Sequence, residues 1–134
     1  MIYTSNFSTV KNDSRGLAIC RSQPKWWSGE VEIRLAPATW EMVRMKDWEK
    51  FIQMFALQVK KLDVHEMAKI CEGRILLCWE NIEKEHCHRE LILRWFKKNG
   101  YECEEYKKEL DNTLKLVQND SKPEPPKEEQ IALF

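Results

Sequence analysis

The chain has 134 residues, with 22 basic and 22 acidic side chains and a formal net charge of zero. That size suits one domain with one core. The balanced charge excludes a global basic field for nucleic acid, so any such contact must be local.

No apolar run is long enough to span a bilayer, so no membrane partner is expected. Met1-Ile-Tyr-Thr-Ser-Asn6 lacks the basic start and apolar block of a secretory leader, which points to a cytoplasmic protein. The five cysteines are odd in number and scattered. They read as thiols, not as a secreted disulfide framework.

Ile2-Tyr-Thr4 is predicted as the first strand, running into the polar loop Ser5-Asn-Phe-Ser-Thr9. Leu17-Ala-Ile-Cys20 is a second, buried strand with Arg21 at its carboxyl end. Trp26 and Trp27 sit in the loop Ser22-Gln-Pro-Lys-Trp-Trp-Ser-Gly29. Val31-Glu-Ile-Arg-Leu35 alternates and reads as an edge strand, ended by Ala36-Pro37. Apolar residues then recur at three- and four-residue steps from Trp40 through Trp48, Phe51, Phe55 and Val59 to Leu62, the spacing of one long helix. A shorter helix over Val64 to Cys71 stops at Gly73.

Arg74-Ile-Leu-Leu-Cys-Trp-Glu80 reads as a buried strand, and Cys87-His-Arg-Glu-Leu-Ile-Leu-Arg-Trp-Phe96 as a helix. Lys97-Lys-Asn-Gly100 is a helix stop. Tyr101-Glu-Cys-Glu-Glu-Tyr106 is another strand candidate, which completes a βαβ unit. Lys107 to Val117 could form a last helix. Residues 118–129 contain no apolar side chain apart from prolines, so they are expected to be disordered. The expectation is one small α/β domain over 1–117, three layers deep with a mainly parallel sheet, and a flexible tail over 118–134.

In parallel sheets, ligands bind outside the carboxyl ends of the strands, and a helix start offers unpaired N–H groups. Ser5, Asn6, Arg21, Glu80, Cys87, His88 and Arg89 should share that edge. Arg21 and Arg89 would grip an anion, assisted by the helix start. Glu80 would act as general base or hydrogen-bond acceptor. Trp26 and Trp27 would stack on a planar ring. Cys87 beside His88 suits a nucleophile, although its spacing to Arg89 is too short for a phosphatase loop. A zinc reading from Cys78, His86, Cys87 and His88 is disfavoured, because adjacent ligands turn to one ion with difficulty and no CxxC pair exists. No metal and no cofactor are expected.

Ile75-Leu-Leu-Cys-Trp-Glu80 followed by Cys87-His-Arg89 resembles the family called domain of unknown function 488, in its phage and bacterial branch. Ile2-Tyr-Thr4, Leu17-Ala-Ile-Cys-Arg21, Trp26, Gly29 and Leu35-Ala-Pro37 extend the likeness over roughly Met1 to Tyr106. The resemblance implies a small α/β domain without a settled reaction. It carries over Arg21, Glu80, Cys87, His88 and Arg89 as site residues.

The chain ends Gln130-Ile-Ala-Leu-Phe134. This looks like the peptide with which bacterial replication and repair proteins hold the DNA sliding clamp, with Gln130, Ile131, Leu133 and Phe134 as its contacts. An exposed Leu-Phe pair on a solvated leader calls for a receiving pocket, whether on a partner or on its own domain. The first functional expectation is a domain that binds or processes a phosphate-bearing nucleotide or DNA, hydrolase- or glycosidase-like in class, delivered by this tail. A non-enzymatic phage or mobile-element protein that occupies the clamp or a replication or defence partner is the competing class. A thiol redox sensor pairing Cys87 with Cys78 is a third.

Overall fold

Ile75–Cys78 is buried at every position, as a strand covered on both faces should be. In the computed structural model, which describes residues 1–11, 13–79, 86–106 and 133–134, this segment is the middle strand of a five-stranded parallel sheet. The strands are β1 (Ile2–Asn6), β2 (Gly16–Ala18), β3 (Glu30–Val31), β4 (Ile75–Cys78) and β5 (Cys103–Glu105), in the order β3-β2-β4-β1-β5. Every pairing is parallel. The first strand thus sits between the two strands of the βαβ unit, with Ser5 opposite Leu77 and Thr4 opposite Glu105.

The helices are α1 (Trp40–Val43), α2 (Trp48–Val59), α3 (Val64–Cys71) and α4 (His88–Lys98). The single long helix expected over Trp40 to Leu62 is two. Thr39 caps α1 by accepting the Met42 N–H, and Asp47 caps α2 by accepting the Lys50 N–H. Apolar spacing continues across the break and hides it, whereas the caps satisfy fresh helix starts. The edge strand expected over Val31–Leu35 is also shorter: β3 ends at Val31, and Ile33–Leu35 forms a 3-10 turn started by the Glu32 side chain. At the far end of α4, Lys97 and Lys98 occupy the last turn and Gly100 adopts φ +91°, as the stop signal predicts.

One face of the sheet presents Ile2, Leu17, Leu76 and Cys103 to Phe51, Phe55 and Val59 of α2, Met67 of α3, and Leu91, Ile92 and Phe96 of α4. The other face, with Ala18, Ile75 and Leu77, lies under Phe7, Val10 and Trp27. Helices, sheet and this irregular cover make the three layers of an α/β domain. Among the described residues, no helix is long and apolar enough to cross a membrane. Glu80, the link 81–85, the expected helix over 107–117, the expected disordered stretch and the motif residues Gln130 and Ile131 lie outside the described residues.

Candidate functional site

Because the strands are parallel, β2 and β4 release the chain at the same edge, and α4 begins there. Cys78 ends β4, Cys87 occupies the N-cap of α4, and Ile19-Cys20-Arg21 follow β2. Cys87 is extended, at φ −144° and ψ 146°, so its side chain leaves at an angle that helical backbone would not allow. Its N–H is accepted by the Glu90 carboxylate at 3.0 Å, which fixes the cap.

The consequence is a tight cluster. Ligand-capable atoms of Cys78, Cys87 and His88 all lie within 4.8 Å of one another, and the three residues are buried. Cys87 Sγ is 3.7 Å from His88 Nδ1. His88 Nε2 is 2.6 Å from the Ile19 carbonyl oxygen. A carbonyl only accepts, so Nε2 carries the proton and the lone pair of the neutral imidazole is on Nδ1, facing the sulfur. A backbone oxygen thereby orients a base toward a thiol. The difficulty that adjacency raised against convergence of Cys87 and His88 is removed by the change of backbone conformation between cap and helix. His86 stays out of the cluster: it stacks on Trp48 with centroids 4.5 Å apart and its Nδ1 meets Glu90 at 3.4 Å.

Cys87 and His88 form the floor of a groove of about 510 Å³. Its walls include Arg21, Trp40, Trp48, Trp79 and His86. Arg21 donates from Nη1 to the Pro37 carbonyl at 3.3 Å and lies over the Trp40 ring. Its Nε is buried and has no hydrogen-bond partner among the described residues. Trp79 is about half exposed and anchored by its Nε1–H to the Ser22 carbonyl at 2.5 Å. Arg21, Cys87 and His88 are therefore brought together as the sequence suggests.

Other expected site residues go elsewhere. Arg89 is completely buried and does not join Arg21 around an anion. Its Nε and Nη2 donate to the Glu105 carboxylate at 3.2 and 2.9 Å, and its Nη1 donates to Cys78 Sγ at 2.9 Å. Burial opposes this charge, but Cys78, Glu105 and Cys87 outweigh it and hold the guanidinium protonated well above its ordinary range. Thr4 also donates to Glu105, at 2.6 Å. Arg89 thus clamps α4 to β4 and β5, because a buried guanidinium takes a nearby carboxylate.

Ser5 donates to the Tyr106 carbonyl at 3.1 Å, with strand alternation turning it to the opposite sheet face from Thr4. Asn6 Oδ1 accepts from the Thr9 N–H and the Ser8 hydroxyl at 2.8 and 3.0 Å, so it closes the turn after β1. Both are thus engaged within the fold. Trp26 and Trp27 do not cover the groove. They pack edge-on with Phe7 and line a separate hollow of about 290 Å³ beside Gly16, Gly29 and Arg74. A Cβ at Gly16 or Gly29 would come within 2.7 Å of the Trp27 ring, so that ring is seated and not a swinging lid.

The groove's own aromatics, Trp40, Trp48 and Trp79, were hidden in apolar periodicity and at a strand end. The usable signal was a capping residue before two of them, Thr39 and Asp47, since a side chain at a helix start can face a cleft as easily as a core. Cys71 and Cys103 lie away from the cluster, in the core between the sheet and the helices, where burial pushes each thiol up to about 12.

Leu133 and Phe134 rest on the domain itself. Phe134 is buried and stacks on Phe55 with centroids 6.2 Å apart and ring planes 11° apart. Leu133 packs against the same core. Compared with family models, curated proteins and solved structures, the chain finds no match in any of the three.

Proposed function

We propose that the groove binds a ligand carrying a flat ring and an anionic group, a nucleotide or a nucleotide extruded from DNA, and that Cys87 with His88 is its reacting end. The observation that carries this reading is the buried Nε of Arg21, unpartnered among the described residues, beside exposed tryptophan faces and above an oriented thiol–imidazole pair. A buried donor left without an acceptor is costly, and an incoming phosphate or carboxylate would relieve it. Trp40 and Trp79, each about half exposed, offer stacking surface. Lys46 adds a second cation at the groove wall.

In metal-free protein the chemistry this supports is processing of the bound nucleotide by a thiol that His88 can deprotonate. The likeness of Ile75–Glu80 and Cys87–Arg89 to the domain of unknown function 488 family belongs to the same proposal. So does a reducing, cytoplasmic setting, supported by five cysteines kept as buried thiols.

Tryptophan fluorescence tests the groove directly. Mononucleotides should quench it saturably, and Arg21→Gln should weaken that binding by roughly 10- to 100-fold, the effect of losing one charge-assisted hydrogen bond. Quenching that never saturates, or equal affinity in Arg21→Gln, would count against the reading.

A further inference from the structure

We propose that Cys78, Cys87 and His88 hold one borderline-soft divalent cation of the zinc class where Cys87 and His88 line the groove, with the fourth position filled from the groove by water or ligand. The donor set is two sulfurs and one imidazole nitrogen, the combination such ions favour, and three protein ligands with a fourth exchangeable position is the arrangement of catalytic zinc. With metal–sulfur bonds near 2.3 Å and metal–nitrogen bonds near 2.0 Å, tetrahedral geometry separates sulfur from nitrogen by about 3.5 Å and sulfur from sulfur by about 3.8 Å. The 3.7 Å between Cys87 Sγ and His88 Nδ1 already fits, and no pair in the cluster exceeds 4.8 Å.

Two independent features prepare the ligands. The first is the His88–Ile19 contact, in which the far ring nitrogen donates to a backbone carbonyl and sets Nδ1 on the sulfur side; metal-bound histidines are typically oriented this way. The second is Arg89, whose Nη1 donates to Cys78 Sγ at 2.9 Å and fixes where that sulfur sits. Glu105 already balances the Arg89 charge. Two thiolates would therefore form a net negative, buried pair, which a dication neutralises.

With Cys87 Sγ and His88 Nδ1 both bound to it, the ion would supply a polarised water in place of the thiol as the reacting group, in the manner of a metal-assisted hydrolase. The proposal rests on the groove reading only for what that water acts on; the ion's binding stands or falls separately. Cobalt(II) serves as the probe, added to the reduced full-length protein. The expected result is one equivalent bound, with the visible bands of a tetrahedral centre and a thiolate-to-cobalt charge-transfer band. Cys78→Ser should halve that band, and His88→Gln should weaken binding by more than the roughly 10- to 100-fold typical of lost outer contacts. Cys103→Ser, which removes a buried thiol outside the cluster, should change neither. Circular dichroism of each variant checks the fold, and the unaltered protein alone decides the main point. If it binds no cobalt(II), or only with octahedral bands and no charge transfer, the metal proposal is overturned. The same holds if Cys103→Ser alters the band as much as Cys78→Ser. Nucleotide quenching measured on metal-free protein separates the two readings: saturable quenching without a cobalt centre ends the metal proposal alone, and a cobalt centre without quenching ends the groove reading alone.

Discussion

Arg21 and Arg89 look equivalent in the sequence, each a cation at the end of an apolar run or the start of a helix. The fold gives them opposite tasks. Arg21 lines the groove and keeps one buried donor without a partner among the described residues, while Arg89 donates to Glu105 and Cys78. A buried ion pair adds little net stability against an apolar substitute, but breaking one side strands the other charge. Glu105→Leu should therefore cost about 3 kcal/mol, the low end for a buried pair because Glu105 keeps some exposure. Adding Arg89→Met should recover most of that loss. Urea unfolding of the single and double variants reads both values. A loss below about 0.5 kcal/mol in Glu105→Leu, the size of a neutral surface change, would show that Arg89 does not depend on this carboxylate. Single residues of this kind were the least legible from sequence. Adjacency made Trp26 and Trp27 look like a stacking pair for a ligand ring, yet Phe7, Gly16 and Gly29 hold them elsewhere. A sequence names a residue's chemistry, but its partner is set by contacts far along the chain.

At the scale of elements, most of the reading transferred because burial leaves a local trace. The unbroken apolar run of β4, the apolar face and basic end of α4, and the glycine stops at Gly73 and Gly100 were all visible. The split between α1 and α2 was not, since Val43, Met45 and Trp48 continue the helical spacing through the break. Only polarity at one position marks it: Asp47, whose side chain accepts the Lys50 N–H at 3.1 Å. The break matters for the site, because it makes Trp48 the first residue of a helix at the groove wall, stacked on His86. Asp47→Ala should lower stability by about 1 kcal/mol, the usual value of an N-cap. In one continuous helix the same change would raise stability by a few tenths of a kcal/mol, because alanine is the better interior residue. The sign of the shift in urea midpoint distinguishes the two.

Across the whole molecule, a file of aromatic rings runs from the groove to the end of the chain. His86 stacks on Trp48, Trp48 on Phe51, Phe51 on Phe55 and Phe55 on Phe134, each pair with ring planes 22° apart or less. Phe134 therefore contributes to the core that supports the groove wall, and Leu133 packs beside it. The same two residues carry the likeness to a sliding-clamp peptide, and they cannot fill both seats at once. Whatever draws them onto another protein must first replace the contact with Phe55. Full removal of a core phenylalanine costs about 3–5 kcal/mol; Phe134 stacks on one ring among the described residues, Phe55, so Phe134→Ala should cost about 1–3 kcal/mol. Urea unfolding measures the loss, and His86 exchange broadening in the NMR spectrum should grow as the stack loosens. Unchanged stability, together with loss of retention on immobilised bacterial clamp, would reverse the assignment and make the pair an outward-facing ligand. A destabilised variant whose unaltered parent is also not retained on the clamp would leave the core as the one seat that these residues use.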